Sequence, residues 1–393
     1  MSDLPTVSKF SMQKDAPINV FVPVFRVEEC LAEIRMCLER GWTGLGYKTV
    51  EFEEAWKLYT GLPHAHYVSS GTAALHLAVA VLKEKQGWKD GDEIITTPLT
   101  FVSTNQAILY EGLKPVFADV DKYLCLDPGS VSRMITTRTR AIMYVGYGGN
   151  FGELDWIKTI CKNTQLALIL DGAHMAGTRI RGEHAGQDVD VATFSFHPVK
   201  NLPTGDSGMV CFRDPGNDSL ARKLSWMGIN KDTYARMGGE GSYKWRYDIE
   251  KEGWKYNGNS VQAALGLVGL RYLDQDNSYR RQLARWYDEL LKNGPPVERP
   301  QYPEECEPSG HLYPIQTDSR DELMMFLNAA NIFPGVHYRI NTDYPMFSYG
   351  SGTCPHAEKA AKRLMSLPIH MKMTHTDVKR VVYWIREYFR KTS

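Results

Sequence analysis

The apolar residues of this chain follow two patterns that alternate along its length. Helix-length segments with apolar side chains at helical spacing lie at 27–40, from about 50, and at 71–85, 102–110 and 154–161. Short continuous apolar runs lie between them, at 93–97, 115–120, 141–145, 166–170 and 191–196. The longer segments predict helices and the short runs predict buried strands. Their alternation predicts an α/β fold with a mostly parallel sheet flanked by helices.

The pattern changes after about residue 265. A helix at about 261–273 leads out of the α/β region, and the remaining residues mix helices with short strands and end in a helix at 377–389. At 393 residues the chain is longer than a single hydrophobic core usually serves. We therefore expect a large α/β domain with an N-terminal arm at 1–265, and a smaller α+β domain at 266–393.

Charge and composition argue against several classes of protein. Lysine plus arginine and aspartate plus glutamate both number 46, so no overall charge favours nucleic acid or an anionic membrane. No run approaches the roughly 18 apolar residues that span a bilayer, and residues 1–17 lack the apolar segment of a signal peptide. Seven cysteines without a CxxC pair indicate neither a disulfide framework nor a zinc site. We expect a cytoplasmic protein without a metal, a nucleic-acid partner or a membrane contact.

Candidate chemistry lies at the ends of the predicted strands, where parallel α/β domains bind their ligands. In the turn SSGT (69–72), Gly71 permits close backbone approach, and Thr72 adds a hydroxyl beside the free amides that bind phosphate at a helix N-terminus. Taken alone, the same turn is more typical of an ordinary helix cap. Phe101, in the turn 97–103, is either a ring for stacking on a planar ligand or a core residue.

Asp171 directly follows the apolar run 166–170. A buried carboxylate needs a cationic partner, and a protonated heterocyclic nitrogen would suit. A structural ion pair or a helix cap is the alternative. His174, three residues later, is either a ligand contact or a hydrogen-bonded core histidine.

Lys200 lies in a glycine-bounded loop after the apolar run 191–196, with Ser195 placed just upstream to hydrogen-bond a phosphate. A desolvated lysine has a lowered pKa and forms Schiff bases, although an isolated lysine is most often solvated at the surface. A phosphate cradle, a carboxylate, an aromatic ring and a lysine are together what pyridoxal 5'-phosphate (PLP) requires, because PLP is an electron sink while its ring nitrogen is protonated.

These motifs occur in the order and at the spacing of a known family. They are SSGTAAL (69–75), TF (100–101), DGAH (171–174), FSFHPVKN (194–201), GWKYNGNSVQAALGL (253–267) and SLPIH (366–370). Together they resemble the sugar-nucleotide aminotransferases of the DegT/StrS family, from about residue 44 to near the C-terminus. The resemblance implies the fold-type I PLP-dependent transferase architecture, with a seven-stranded sheet and a smaller C-terminal α+β domain.

The resemblance also implies an activity and its central residues. Lys200 would carry the cofactor as a Schiff base and shuttle a proton, Asp171 would pair with the ring nitrogen, and His174 would lie near the ring hydroxyl. The implied reaction moves an amino group from L-glutamate to a nucleotide-linked keto-sugar, of the 4-keto-6-deoxyhexose type. Amino-sugar biosynthesis, such as that of lipopolysaccharide O-antigen, would be its setting.

The remaining implied positions concern the cofactor's phosphate and ring. Ser195, Gly71 and Thr72 would bind the phosphate, and Phe101 would stack on the ring. Lys255 matches a position that reaches the phosphate of a neighbouring subunit, which implies a homodimer with its active site at the interface. A cation opposite a phosphate is favourable there.

The chain departs from the family pattern at three places. Many members have asparagine at position 255, the loop 204–208 reads TGDSG where TGEGG is usual, and Gly172 replaces a usual alanine.

Other activities of the same fold also have candidate residues. A PLP lyase or cysteine desulfurase would need a reactive thiol, for which Cys354 is the loop candidate. A non-catalytic PLP-binding homologue is a third possibility. Sugar dehydratases of the family carry histidine in place of Lys200. Arg339 follows a segment resembling part of the sugar site, and would meet a substrate anion or form a surface ion pair.

Overall fold

The computed structural model describes residues 16–230, 248–292 and 294–392. The strands of these residues are β1 (Ile18–Asn19), β2 (His66–Val68), β3 (Glu93–Thr96), β4 (Lys114–Phe117), β5 (Thr139–Val145), β6 (Ala167–Asp171), β7 (Arg179–Ile180), β8 (Glu183–His184), β9 (Val191–Ser195), β10 (Gly208–Phe212), β11 (Cys306–Glu307), β12 (Tyr313–Gln316), β13 (Ile332–Phe333) and β14 (Leu364–Leu367).

The helices of the same residues are α1 (Val27–Glu39), α2 (Tyr47–Thr60), α3 (Gly71–Gln86), α4 (Val102–Tyr110), α5 (Pro128–Met134), α6 (Leu154–Thr164), α7 (Pro215–Leu224), α8 (Ser260–Leu291), α9 (Arg320–Ala329), α10 (Pro355–Arg363) and α11 (His375–Thr392). Short 3₁₀ helices lie at Tyr147–Gly149, Asn341–Asp343 and Pro345–Gly350.

A seven-stranded sheet forms the centre of the fold, in the order β2-β10-β9-β6-β5-β3-β4. Strands β4, β3, β5, β6 and β9 run parallel, and β10 is antiparallel to both of its neighbours. Asp171 at the end of β6 lies opposite Val145 of β5 and Thr193 of β9. The carboxyl ends of these strands therefore meet at one edge of the sheet.

Both faces of the sheet are buried. Ile142 and Tyr144 of β5 belong to one cluster of buried apolar residues, while Met143 between them belongs to a second cluster. This alternation is what a strand covered on two faces requires, because successive side chains point to opposite sides. A third cluster includes Tyr313 of β12 and Leu367 of β14, an antiparallel pair in the C-terminal part of the chain.

The structure confirms the α/β fold class with its mostly parallel sheet, and the predicted helices and strands of the first 200 residues lie within a few residues of their observed bounds. The pattern does not predict β2, which is only three residues long. It also does not predict β10, which returns along β9 through the lysine loop instead of through a helical crossover.

Helix α8 is much longer than the predicted 261–273. Its first half contributes Ala263 and Leu273 to the first apolar cluster, and its second half contributes Leu283 and Tyr287 to the third. The expected division at residue 265 falls within this helix, and the N-terminal arm begins outside the described residues. The two-domain division stays a proposal.

Among the described residues, no helix is long and apolar enough to cross a membrane. Nor does this part of the chain bring three or more His, Cys, Asp or Glu side chains together in a way that could hold a metal ion.

Candidate active site

A cavity of about 410 Å³ opens at the carboxyl edge of the sheet, a size typical of small-molecule sites. The structure brings together seven of the eight residues that the sequence proposes for the site, and all seven line this cavity: Gly71, Thr72, Phe101, Asp171, His174, Ser195 and Lys200. The eighth, Lys255, lies outside it.

One end of the cavity is built for an anion. Ser70 caps helix α3 by accepting a hydrogen bond from the N–H of Ala73, so Gly71 and Thr72 occupy the first turn, where N–H groups have no acceptor within the helix. A Cβ on Gly71 would lie 2.8 Å from Cβ of Ser195. Only glycine therefore lets the helix N-terminus approach the Ser195 hydroxyl so closely.

The Asp171 carboxylate is buried and held from two sides. Its Oδ2 accepts a hydrogen bond from the Thr104 hydroxyl, with the two oxygens 2.7 Å apart. Its Oδ1 accepts a hydrogen bond from the backbone N–H of Ala173, with an N–O distance of 3.1 Å. Burial raises the pKa of Asp171 above its ordinary value, while these two donors and the charge of Lys200 oppose the rise. The carboxylate is thus prepared for a cationic partner in the cavity.

Lys200 faces the same space. Burial lowers the pKa of Lys200 to about 8, with the charge of Asp171 acting in the opposite direction. Its amino group has no ion-pair partner in the part of the chain that the structure describes. A substantial fraction of this amine is therefore neutral near physiological pH and able to act as a nucleophile.

His174 is a neutral histidine with both ring nitrogens engaged. Its Nδ1 accepts the N–H of Gly148 at 3.1 Å, so the proton resides on Nε2, which lies 2.9 Å from the hydroxyl oxygen of Tyr338. Burial, followed by the charge of Lys200, lowers the pKa of His174 well below its ordinary value. His174 is therefore a fixed hydrogen-bonding group.

Phe101 caps the start of α4 at the rim of the cavity. Its side chain is 55% exposed, and its ring centroid lies 5.8 Å from that of Tyr338. The ring is thus available to a planar ligand instead of being packed in the core, which favours the stacking interpretation.

Two proposed cations lie outside the cavity lining. The Lys255 ammonium sits 3.0 Å from the centroid of the Trp226 ring. The Arg339 guanidinium pairs with Asp343 at 3.2 Å and is largely exposed, which matches the surface ion pair interpretation.

The departures in the cofactor loops have local explanations. A Cβ on Gly172 would lie 2.8 Å from Cε1 of Phe194, so glycine is required beside this phenylalanine. Ser207 is buried and its hydroxyl bonds that of Thr204, while Asp206 lines the cavity. The side chain that this loop presents to a ligand is therefore Asp206.

The thiols offer no nucleophile here. None of the seven cysteines, all of which lie in the described ranges, lines the cavity. Cys354 is fully buried, and burial raises the pKa of its thiol to about 12. A desulfurase has no reactive cysteine in this arrangement.

Sequence reasoning missed several residues of the site. Thr104 lies three positions after Phe101, and that helical spacing could have indicated it. Phe21 and His311 line the cavity from distant parts of the chain and carry no local signal. Their rings stack at 5.3 Å with an interplanar angle of 5°.

Comparison with known proteins agrees with this geometry. The sequence profile of the DegT/DnrJ/EryC1/StrS aminotransferase family matches residues 26–386. The spore coat polysaccharide biosynthesis protein SpsC of Bacillus subtilis is 35% identical over 378 residues, covering 93% of this chain and 95% of SpsC.

Solved structures show the same fold. The aminotransferase TlmJ from Streptoalloteichus hindustanus has a TM-score of 0.88 at 30% identity, covering 95% of this chain and 99% of TlmJ. Helicobacter pylori PseC, an aminotransferase involved in the biosynthesis of pseudoaminic acid, has a TM-score of 0.87 at 25% identity, covering 95% and 100% of the two chains.

Proposed function

Because this chain belongs to the DegT/DnrJ/EryC1/StrS aminotransferase family, we propose that it moves an amino group from L-glutamate to a nucleotide-linked keto-sugar of the 4-keto-6-deoxyhexose type. The chain is an aminotransferase of the sugar aminotransferase family, and its cofactor is PLP. The sugar, the nucleotide and the donor are the proposed parts.

The residues of the cavity fit PLP. The first turn of α3 and the Ser195 hydroxyl form a cradle that a Cβ on Gly71 would fill, which suits a phosphate. The Asp171 carboxylate suits a protonated ring nitrogen. When bound, PLP withdraws electrons from the carbon that carries the amine, so that a proton can leave it.

The observation that carries the proposal is that Lys200 and Asp171 line the same cavity. Lys200, with its pKa lowered to about 8, would attach the cofactor and afterwards accept and return a proton at Nζ. Asp171, whose ionised form is favoured by hydrogen bonds from Thr104 and the N–H of Ala173, would hold the proton on the ring nitrogen. His174, held in place by its bonds to Gly148 and Tyr338, would lie near the ring hydroxyl.

The substrate class is supported by the relatives. SpsC takes part in polysaccharide biosynthesis and PseC in the biosynthesis of pseudoaminic acid. The preference for a 4-keto sugar rests on the likeness of the lysine loop and of the segment around Lys255 to the family. An activity in O-antigen synthesis and a cytoplasmic location belong to the same proposal.

The proposal extends to a homodimer. Lys255 lies outside the cavity of its own chain, on the ring of Trp226. We propose that it binds the cofactor phosphate of a second copy of this chain, where a cation opposite a phosphate is favourable.

The first test is the visible absorption of the purified protein with PLP, before and after L-glutamate. We expect a band of lysine-bound cofactor that L-glutamate bleaches, and no such band in Lys200→Ala. Lys251→Ala, a surface change in an ion pair with Glu84, should behave as wild type. A band that ignores L-glutamate would contradict the donor, and no band would contradict the assigned role of Lys200.

The acceptor is tested by product analysis. After treatment with L-glutamate, the protein is mixed with a nucleoside-diphosphate 4-keto-6-deoxyhexose and the product is characterised by mass spectrometry and NMR. We expect an amine at carbon 4. An amine on another ring carbon, or no reaction with this sugar class, would overturn the proposed acceptor while leaving the aminotransferase assignment intact.

A further inference from the structure

His311 lines the cavity but has no role in the chemistry described above. Its side chain is almost fully buried, at 1% exposure. Phe21 stacks on its ring, and the ring centroid of His174 lies 4.5 Å away. A buried imidazole must satisfy two ring nitrogens, so the partners of each nitrogen decide what the group can do.

The hydrogen bonds of two buried amides fix which nitrogen of His311 carries the proton. Asn277 donates from Nδ2 to the carbonyl oxygen of Ala176 at 2.9 Å, and its Oδ1 accepts Nδ2 of Asn201 at 2.7 Å. Asn201 Nδ2 also donates to the carbonyl oxygen of Ser309 at 2.8 Å. Carbonyl oxygens only accept, so neither amide can be turned around.

The fixed orientation of the Asn201 amide determines which ring nitrogen of His311 carries the proton. Asn201 Oδ1 lies 3.0 Å from Nδ1 of His311. Because the orientation of the Asn201 amide is fixed, this atom is an oxygen and can only accept a hydrogen bond from His311. Nδ1 therefore carries the proton. Burial, followed by the charge of Lys200, lowers the pKa of His311 well below its ordinary value, so Nε2 keeps a lone pair.

That lone pair has no partner in the described ranges of the chain. His311 lines the cavity, its Nδ1 is bonded to Asn201, and Phe21 covers one ring face, so we infer that the Nε2 edge borders the cavity. An acceptor that faces the cavity without a donor from the protein is available to a donor group of a ligand.

We propose that Nε2 of His311 binds substrate, accepting a hydrogen bond from an N–H of the amino donor or from a sugar hydroxyl of the acceptor. Asn201, the neighbour of Lys200 in sequence, is the positioning residue that fixes the tautomer. The substrate assignment rests on the proposed function. The tautomer does not, because it follows from the protein's own hydrogen bonds.

The tautomer is tested without turnover, by ¹⁵N NMR of histidine-labelled holoenzyme, with the His311 signals identified by their loss in His311→Asn. We expect a protonated Nδ1 and an unprotonated Nε2. A proton on Nε2 would overturn the proposal, since no lone pair would then face the cavity. This result stands whether or not L-glutamate and the keto-sugar prove to be substrates.

The substrate contact is tested with a matched pair of variants. The amide of asparagine lies near the position of Nδ1, so His311→Asn keeps the bond to Asn201 but removes the cavity acceptor. The amide of glutamine lies near the position of Nε2, so His311→Gln restores an acceptor. His356→Asn makes the same change at an exposed histidine and should behave as wild type.

Each half-reaction is followed by its absorbance change over a range of substrate concentrations. We expect His311→Asn to raise the apparent KM about three- to tenfold, with His311→Gln closer to wild type. A rise for L-glutamate alone places the bond on the amino donor, and a rise for the sugar alone places it on a hydroxyl. Unchanged KM values in both half-reactions would overturn the proposed contact.

Discussion

One hydroxyl group helps to stabilise the charge of the buried Asp171 carboxylate. Thr104 is 1% exposed and donates to Oδ2 of Asp171 at 2.7 Å, and its own oxygen lies 2.8 Å from the hydroxyl of Thr100. Burial alone would favour the protonated acid. The Thr104 hydroxyl therefore helps Asp171 remain ionised, which a protonated ring nitrogen requires.

Thr104→Val tests this role, because valine has nearly the same shape and no hydroxyl. Losing a hydrogen bond to a charged group costs about 1.5–3 kcal/mol, so we expect the rate with the amino donor to fall about ten- to a hundredfold. The acidic limb of the pH–rate profile should also move to higher pH as the pKa of Asp171 rises. Thr104→Ser should restore both, and a wild-type profile in Thr104→Val would contradict the role.

Asp121 is a second buried carboxylate, and burial disfavours its charged form. Its Oδ1 accepts the N–H groups of Tyr123 and Cys125, but its Oδ2 is buried with no hydrogen-bond partner in the described residues. Burial raises the pKa of Asp121 to about 7. Because the folded-state pKa lies above the unfolded one, this group favours the fold below about pH 4 and loses that contribution as the pH rises to about 7.

Asp121→Asn should therefore stabilise the protein at alkaline pH. The gain should be about 1–2 kcal/mol at pH 5 and should grow to about 3–5 kcal/mol at pH 8. Melting temperatures of both proteins at the two pH values measure it, with Asp90→Asn as the control at a largely exposed aspartate. If the difference in melting temperature does not grow between pH 5 and pH 8, ionisation of the buried Asp121 carboxylate does not destabilise the fold and the inference is wrong.

At the scale of elements, the first turn of α3 begins a helix and, in the proposed function, also binds the cofactor phosphate. Gly71→Ala would place a Cβ 2.8 Å from Cβ of Ser195 and push the turn away from β9. We expect the dissociation constant of PLP to rise about tenfold or more, because the N–H groups and the Ser195 hydroxyl would no longer converge. Absorbance titration with PLP measures it.

The other end of the same helix supplies the control. Gly87 has a φ of +68° and open space around its missing Cβ, so Gly87→Ala costs about 1–2 kcal/mol of backbone strain without touching the cavity. It should lower the melting temperature and leave PLP binding unchanged. If both variants weakened PLP equally, general destabilisation would explain the effect and the cradle would not.

How far the sequence predicts the elements depends on where polar residues are buried. The hydrophobic period of α8 stops at Leu273 because Asp276, Asn277 and Arg280 follow, and all three are buried. Their partners are distant in the chain: Asp276 pairs with Arg26 at 2.6 Å, and Arg280 donates to the carbonyl oxygen of Ile369. Where a helix buries polar residues through tertiary contacts, its buried face is no longer apolar, and the sequence pattern that predicts an amphipathic helix is interrupted.

The same distinction applies to the site. Asp171, Ser195 and Lys200 could be predicted because each lies at or just beyond the end of a recognisable apolar strand, and strand ends gather at one edge of a parallel sheet. His311 and Phe21 could not, since they reach the cavity through packing between segments about 290 residues apart. Sequence therefore predicted the cavity residues at the strand ends better than those that distant segments contribute.

At the scale of the whole molecule, the position of Lys255 bears on whether its ammonium binds an anion in the cavity of its own chain or in that of a second copy. It does not line the cavity of its own chain, and its ammonium rests on the Trp226 ring. Desolvation lowers the pKa of Lys255, which an anionic partner would offset. The proposed answer, the phosphate site of a second copy, makes each active site depend on residues from two chains.

Mixing two inactive variants distinguishes the two arrangements. Lys200→Ala lacks the cofactor lysine, and Lys255→Ala should bind PLP about tenfold or more weakly through the loss of a charge-assisted contact, so it is inactive at limiting PLP. In a mixed dimer, one site would combine the intact Lys200 of one chain with the intact Lys255 of the other. Random reassociation should then restore about a quarter of wild-type activity, since half of the dimers are mixed and each has one complete site. If Lys255 acted within its own chain, no mixed dimer would contain a complete site and mixing would restore nothing.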